Sequence, residues 1–258
     1  MERPETPARR LAPEQHGESV TQAREPTELE DLVRGVDVSH HQAPGAINWK
    51  RLAETHRFVY VRATYGTGHD EKCAEHVKRA RDVGLKIGLY HYYRPGQDVR
   101  AQLEAFNDQA NLVGMCEGWL LPAIDVEQNP EFDGEVTPEK YAPAEEVARE
   151  LIRRWGAVQL YTNPAMWVEL GQPAWARDCS LWIAHYKTSA PKTPPSLEWT
   201  IWQHLVAPLP GVYEHDIDQD LAKSLPLIEA KKGPSLLSLE QDLEERRGDR
   251  DEYIKDLE

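Results

Sequence analysis

Strand-like and helix-like stretches alternate along most of this chain, from about residue 34 to about residue 228. Gly84, Gly114 and Gly156 each close one of the helix-like stretches, at the position where helices commonly end. Such alternation predicts an α/β fold, a single (β/α)8-type (TIM-like) barrel, and the scarcity of helices in the second half makes an irregular barrel the expectation. The helix candidates are 48–55, 73–84, 98–114 and 142–156, and the strand candidates are 35–39, 58–63, 86–93, 119–127, 157–162, 180–186, 199–204 and 215–219.

The two ends of the chain differ in composition from this middle part. Residues 1–33 are rich in Pro, Glu, Gln and Arg, which predicts a flexible N-terminal arm with a short helix in TELEDLV (27–33). Residues 229–258 predict a charged helical tail. A solvated terminal helix fits the tail better than a self-associating coiled coil, because Arg246 and Arg250 interrupt its apolar heptad seam. That seam consists of Leu236, Leu239, Leu243, Tyr253 and Leu257.

Composition argues against several classes of protein. The formal net charge of −14, from 30 Lys and Arg against 44 Asp and Glu, disfavours nucleic-acid binding, which needs clustered basic residues. Three cysteines without paired spacing predict free thiols. No run of about 18 apolar residues is present, so we expect no membrane span. The N-terminal residues lack the apolar segment of a secretory signal, and we expect synthesis without one.

The stretch WLLPAIDVEQNP (119–130) ends an apolar run with two carboxylates. Side chains two residues apart on a strand point to the same face, so Asp125 and Glu127 are expected to project together, with Val126 on the opposite face. In a β/α barrel, the C-terminal ends of the strands form the mouth in which active sites lie. The pair is therefore predicted to open onto that mouth.

The same rule, applied to the other strands, brings further polar and aromatic side chains to the mouth. They are Asp37, Arg62, Tyr90, His91, Tyr92, Tyr161, Trp182, Tyr186, Gln203 and Asp218. Aromatic rings stack on the apolar faces of sugars, and a pair of carboxyl groups, one protonated and one ionised, hydrolyses glycosidic bonds. Crowding of like charges raises the pKa of one carboxyl group, which suits that group to act as the acid. The combination predicts a site for a sugar polymer.

Each of these signals is weak alone. A lone Asp-X-Glu is more often a solvated pair, and single aromatic residues on strands most often belong to the core. HDIDQD (215–220) is similar to the start of a calcium-binding loop, but Leu221 stands where that loop needs glycine. His40 and His41 are adjacent and would face opposite ways on a strand, and the chain contains neither HExxH nor CxxC. No metal and no cofactor are therefore expected.

Taken in order, the stretches resemble glycoside hydrolase family 25, the lysozymes often called Chalaropsis-type muramidases. The resemblance is collinear from about residue 34 to about residue 225, and it implies that residues 34–228 are a catalytic barrel. The stretches that carry it are GVDVSHHQAPGAINW (35–49), FVYVRATYGTG (58–68), ARDVGLKIGLYHYYRP (80–95), PAIDVE (122–127), LYTN (160–163), LWIAHY (181–186), IWQH (201–204) and IDQDL (217–221).

The resemblance implies a role for each carboxylate and a substrate. Glu127 would be the general acid/base, and Asp125 the nucleophile or the stabiliser of positive charge, while Asp37 and Asp218 would line the site. It implies retaining, metal-free cleavage of the β-1,4 bond between N-acetylmuramic acid and N-acetylglucosamine in peptidoglycan. The substrate's acetamido carbonyl is an alternative nucleophile, with Asp125 orienting it. The glycan strand would be bound by Arg62, Tyr90, Tyr92, Tyr161, Trp182, Tyr186 and Gln203.

Three departures from the family's pattern concern the subsites rather than the four carboxylates. Tyr65 stands where the family often has Glu, and Arg62 stands where Lys is common. Gln219 and Asp220 replace the usual residues after the final Asp.

Two other classes are alternatives. One is a virion barrel that binds glycan with little or no activity, which the presence of all four carboxylates disfavours. The other is a metal-dependent peptidoglycan deacetylase or amidase, which lacks a His-rich ligand set here. A muramidase without a signal peptide fits a phage lysin, held in the host cytoplasm until a holin releases it. It would also fit a virion component that contacts other virion proteins through the tail, or a bacterial protein that reaches the cell wall by another route.

Overall fold

The computed structural model describes residues 29–195 and 197–229. Nine strands occur in that part of the chain: β1 (Val33–Val38), β2 (Phe58–Tyr65), β3 (Gly68–His69), β4 (Lys86–Tyr92), β5 (Ala123–Asp125), β6 (Gln159–Thr162), β7 (Ser180–Ala184), β8 (Trp199–Leu209) and β9 (Tyr213–Ala222). The α-helices there are α1 (Trp49–Thr55), α2 (Cys73–Asp82), α3 (Val99–Leu112), α4 (Pro138–Tyr141), α5 (Ala144–Trp155) and α6 (Pro164–Glu169), and 3-10 helices span Leu29–Asp31, Pro44–Ala46 and Ala174–Asp178.

Eight of these strands close into a barrel, in the order β1-β2-β4-β5-β6-β7-β8-β9 and back to β1, while β3 extends the edge at β2. Strands β1 to β8 of the barrel run parallel to one another, and β9 runs antiparallel to both of its neighbours. The predicted α/β barrel is therefore confirmed. It is irregular because a tight turn, and not a helix, joins β8 to β9.

The expectation for Asp218 was wrong about the direction of its strand. Asp218 was expected at the C-terminal end of a parallel strand. It lies instead near the middle of an antiparallel strand and pairs with Asp37, close to the C-terminal end of β1. Because β9 runs opposite to β1, the residues that precede Asp218, and not those that follow it, lie towards the mouth.

The strand predicted at 119–127 is much shorter in the structure, where β5 spans only Ala123–Asp125. The preceding residues pair elsewhere: the Leu121 N–H donates to the Pro226 carbonyl at 2.7 Å, and the Ile228 N–H donates to the Trp119 carbonyl at 2.7 Å. The segment after β9 thereby packs against the start of β5, at the end of the barrel away from the mouth. The last strand, predicted as a short one at 215–219, is longer than expected.

Aromatic rings fill the interior of the barrel beneath the mouth. Phe58, Tyr60 and Trp182 are buried there, and the Tyr60 and Trp182 ring centroids lie 4.6 Å apart. Two glycines make room for these rings, because a Cβ at Gly35 or Gly88 would lie 2.3 Å from an atom of the Phe58 or Tyr60 ring. A second apolar cluster fills the space between the outer faces of the strands and the helices. The ring-filled interior forms the floor of the mouth.

All four predicted helices are present as α1, α2, α3 and α5, and polar caps and glycines set their ends. The Asp98 side chain accepts the Ala101 N–H at 2.7 Å at the start of α3. Gly84, Gly114 and Gly156 have φ values of 78°, 70° and 89°, which residues with a side chain rarely adopt. The short helices α4 and α6 and the two-residue strand β3 were not predicted.

The predicted N-terminal arm before residue 29 and the C-terminal tail after residue 229, including its heptad seam, lie outside the described residues. Of the short helix predicted at 27–33, the structure has the 3-10 turn Leu29–Asp31. Within the described residues, no helix has the length and apolar character that crossing a membrane requires.

Candidate active site

A cleft of about 990 Å³ opens at the mouth of the barrel. All eleven residues predicted for the catalytic and substrate-binding positions line it. They are Asp37, Arg62, Tyr90, Tyr92, Asp125, Glu127, Tyr161, Trp182, Tyr186, Gln203 and Asp218.

His91, which the sequence also placed at the mouth, does not line the cleft. Its ring is buried between β4 and α3, where Nδ1 contacts the Thr64 hydroxyl at 2.7 Å and Nε2 lies 3.2 Å from Oε1 of Gln102. The reason is the alternation of strand side chains, because Tyr90 and Tyr92 take the inner face and leave His91 on the outer one.

The Asp125 and Glu127 side chains reach the cleft as the spacing predicted. Asp125 is the last residue of β5, and Glu127 follows it directly outside the strand. Val126 between them belongs to the outer apolar cluster. The Asp125 side chain is buried, and its Oδ1 atom makes no hydrogen bond within the described part of the chain. A carboxyl oxygen held without a partner is available to a substrate.

Burial and mutual repulsion make these carboxyl groups hold their protons more tightly than usual. Burial raises the pKa of Glu127 from 4.5 to about 7, and the charge of Asp218 adds to the rise. Burial and then Glu127 raise the pKa of Asp125 as well, but the Arg62 guanidinium opposes that rise. The pKa of Asp218 is raised to about 6, chiefly by burial. Of the two, only Asp125 therefore has a cation that favours its ionised form.

Gln203, on β8, organises the opposite side of the cleft. Its Nε2 donates to Oδ2 of Asp37 at 2.7 Å, and its Oε1 accepts from the Tyr161 hydroxyl at 2.9 Å and from the Tyr186 hydroxyl. Burial, followed by the charges of Asp218 and Asp220, raises the pKa of Asp37. Gln203 thus fixes Asp37 and two aromatic rings relative to one another.

Asp220 is a further carboxyl group, buried beside the site, and the sequence reasoning did not assign it to the site. Its Oδ1 accepts the Trp182 indole N–H at 2.9 Å, and burial raises its pKa, with the charge of Asp218 adding to the rise. The rule that found Asp125 and Glu127 would have found it, because Asp218 and Asp220 are also two residues apart on a strand. Trp182 is only 1% exposed and supports the floor of the cleft through this bond.

Arg62 reaches the cleft from β2 and is held by an ion pair. Its Nε donates to Oδ2 of Asp70 at 2.9 Å, and its Nη2 contacts Nδ1 of His40. The His40 backbone N–H donates to the same Asp70 oxygen at 2.9 Å. Asp70 and His40 thereby fix the direction of the guanidinium, and neither was predicted for the site.

The one metal-like motif of the sequence is not a loop. Residues 215–220 belong to β9, where the backbone is extended and pairs on both sides, so the side chains cannot encircle a calcium ion. Within the described residues, no group of three or more His, Cys, Asp or Glu side chains is arranged to hold a metal ion.

The raised pKa of Glu127 predicts that the site costs stability at alkaline pH. Below about pH 4.5 Glu127 is protonated in both the folded and the unfolded state, so it does not lower the free energy of unfolding. As the pH rises towards about 7, Glu127 ionises first in the unfolded state, and the free energy of unfolding falls. Glutamine does not ionise, so Glu127→Gln should raise the free energy of unfolding at about pH 8 by on the order of 1 kcal/mol and change it little at about pH 4.

Thermal melts at the two pH values measure this. Glu131→Gln, at an exposed glutamate of the same cleft, is the matched control and should melt as the wild type does at both pH values. A Glu127→Gln protein that is no more stable than the wild type at alkaline pH would contradict the assignment.

Comparisons with known proteins agree with this geometry. A family model described as glycosyl hydrolases family 25 matches residues 36–208. The chain is 28% identical over 161 residues to the autolytic lysozyme of Clostridium acetobutylicum, a match that covers 62% of this chain and 47% of that protein. The chain thus spans about half the length of this curated relative.

Two solved structures show the same fold. The bacterial lysozyme from Streptomyces coelicolor superposes with a TM-score of 0.66 at 28% identity, covering 75% of this chain and 93% of that one. A family 25 lysozyme from Aspergillus fumigatus superposes with a TM-score of 0.62 at 26% identity, covering 74% of this chain and 93% of that one.

Proposed function

This chain belongs to glycosyl hydrolases family 25, and from that premise we propose that it is a muramidase of bacterial peptidoglycan. It would cleave the β-1,4 bond between N-acetylmuramic acid and N-acetylglucosamine with retention of configuration. The observation that carries the proposal is the pairing of a buried Asp125 that has a free oxygen with a Glu127 whose pKa is raised to about 7, on one cleft. The lysozymes named above are relatives that support it.

Glu127 is the general acid/base in this proposal. With a pKa of about 7 it is largely protonated in mildly acidic solution, so it can donate a proton to the glycosidic oxygen as the bond to C1 breaks. It is then ionised and can take a proton from the water that completes hydrolysis. A carboxyl group with an ordinary pKa would already be ionised and could not perform the first of these steps.

Asp125 is the carboxylate that stabilises the positive charge developing at C1. Its free Oδ1 can attack C1 and form a glycosyl ester, or it can accept the acetamido N–H of the substrate while the acetamido oxygen attacks. Both routes invert the centre twice and retain its configuration. Arg62 favours the ionised form that either route needs.

The remaining residues of the cleft act in support. Asp37 and Asp218 face each other across β1 and β9, and the charge of Asp218 adds to the raised pKa of Asp37, Asp125 and Glu127. The glycan strand would contact Arg62, Tyr90, Tyr92, Tyr161, Trp182, Tyr186 and Gln203, of which Tyr186 is the most exposed to an incoming sugar.

The proposal extends to organisation and setting. Residues 34–228 would be the catalytic barrel, with the arm before it and the charged tail after it dispensable for chemistry. The protein would act on cell walls, as a lysin released by a holin, as part of a virion that the tail attaches, or as a bacterial protein exported by another route.

Digestion of purified peptidoglycan with and without EDTA tests the function. We expect new reducing ends that mass spectrometry identifies as N-acetylmuramic acid, at rates within about twofold of each other, because carboxylate chemistry needs no ion, whereas loss of a metal-activated water costs several orders of magnitude. Strong inhibition by EDTA that zinc reverses, with release of acetate or peptides, would instead identify a deacetylase or amidase. Binding without any product would identify a glycan-binding barrel.

A further inference from the structure

Phe132 is one of the exposed aromatic residues at the cleft. Of the three phenylalanines in the chain, Phe58 and Phe106 are buried, whereas Phe132 is 61% exposed and lines the cleft. A single exposed apolar residue is ordinary on a protein surface. Phe132 is unusual in being held in place, because an ion pair between Arg94 and the buried Asp133 fixes the loop that carries it.

The loop follows Glu127 and runs from residue 128 to residue 135. The buried Asp133 accepts from Nε of Arg94 at 3.0 Å and from the backbone N–H of Asn129 at 2.7 Å. Asn129 in turn donates from Nδ2 to the Tyr65 hydroxyl at 2.8 Å. These bonds tie both ends of the loop to the barrel and hold Phe132 at the edge of the cleft.

A row of three rings and one guanidinium connects Phe132 to the carboxylates. Tyr92 pairs with Asp125 across β4 and β5, and its ring centroid lies 4.7 Å from that of Tyr65. The Arg94 guanidinium lies 4.6 Å from the Tyr65 ring centroid and 5.3 Å from the Phe132 ring centroid. We call Tyr92, Tyr65, Arg94 and Phe132 the aromatic wall.

We infer that the outer part of this wall, Tyr65 and Phe132, is a saccharide subsite that binds the glycan strand beyond the bond that is cleaved. The inference rests on the proposed function. The apolar face of a pyranose ring is the ligand that fits an exposed aromatic ring beside a polar cleft. An anion would not fit, because Asp133 already neutralises Arg94. A protein partner would need an interface of about 800 Å² on this side, far more than one ring supplies.

A subsite remote from the reacting bond changes binding more than chemistry. Its contacts are equal in the ground state and the transition state, so their loss raises KM and leaves kcat almost unchanged. Phe132→Ala should therefore raise KM for long glycan strands roughly tenfold while kcat stays within about twofold. Strands too short to reach from the carboxylates to Phe132 should show no change, and Phe132→Trp should restore the KM for long strands.

The experiment measures KM and kcat on purified glycan strands of graded length, and retention of each variant on insoluble peptidoglycan in the cold, which needs no turnover. Val168→Ala, at an aliphatic residue that is 64% exposed and lies outside the cleft, is the control. Reduced retention and a length-dependent rise of KM support the subsite. Unchanged retention and KM, or a fall of kcat that is equal at every length, overturn it.

The retention measurement separates the subsite from the proposed function. A wild-type protein that is retained on peptidoglycan but releases no reducing ends refutes the proposed function alone, and the retention of Phe132→Ala still decides the subsite.

Discussion

Glu127→Gln is expected to lower the rate of reducing-end release from purified peptidoglycan by roughly 10²–10⁴-fold. Glutamine keeps the size and hydrogen-bonding reach of the side chain, but it cannot give or take a proton. The raised pKa of about 7 is what equips Glu127 to do both. The limb of the pH–rate profile that falls above about pH 7 should therefore belong to this group in the wild type, and it should be absent from the residual activity of the variant.

Two controls make this result specific. Glu131→Gln removes an exposed carboxylate from the same cleft and should leave the rate within about twofold of the wild type, since Glu131 has no assigned part in proton transfer. Retention of Glu127→Gln on insoluble peptidoglycan should also be normal. If the variant kept more than about a tenth of the wild-type rate, the barrier would have risen by less than about 1.4 kcal/mol, and the acid would lie elsewhere.

The same observation connects activity to stability. A carboxyl group that can serve as an acid near neutral pH must be poorly solvated, and poor solvation of its ionised form costs folding free energy. Burial is the largest cause of the raised pKa at each of Asp37, Asp125, Glu127, Asp218 and Asp220. The barrel tolerates this group of acids because Gln203, Arg62 and Trp182 each favour the ionised form of one of them.

The sequence could predict this site because strands impose a simple geometry. The two-residue spacing of Asp125 and Glu127 put both on the inner face, and the structure agrees. The sequence does not show whether a strand runs parallel or antiparallel to its neighbours, because the alternation of inward and outward side chains is the same in both directions. Asp218 was therefore expected at the mouth by a rule for parallel strands, although β9 is antiparallel. The length of β5 was overestimated because residues 119–121 pack in the core as strand residues do, although their backbone pairs with 226–228.

Other residues of the site give no periodic signal. Asp70, Asn129 and Phe132 lie outside the strands, where no repeat relates a side chain to a face. Their positions depend on contacts that are distant along the chain, such as Arg94 with Asp133 and Arg62 with Asp70. Asp220 is the exception, since the rule that was applied to Asp125 and Glu127 also relates it to Asp218.

Asp125→Asn should lower the same rate by a factor similar to that of Glu127→Gln, roughly 10²–10⁴-fold. The substitution keeps the shape of the side chain and removes the negative charge that faces the oxocarbenium-like centre. The Asp37→Asn and Asp218→Asn variants, at carboxylates assigned to support, should each lose less. If Asp125→Asn lost no more activity than Asp37→Asn and Asp218→Asn, another group would stabilise the positive charge.

The double variant of Glu127→Gln and Asp125→Asn shows whether the two residues act on one transition state. Independent residues would give a defect equal to the product of the single defects, which here would reach roughly 10⁴–10⁸-fold. Two residues that act on the same transition state give a smaller combined defect. Once proton donation is lost, the positive charge that Asp125 stabilises no longer develops in the same way. We therefore expect the double variant to be impaired little more than the worse single one. A product of the two defects would mean that the carboxylates serve separate steps, with Glu127 limiting departure of the leaving group and Asp125 limiting a later one.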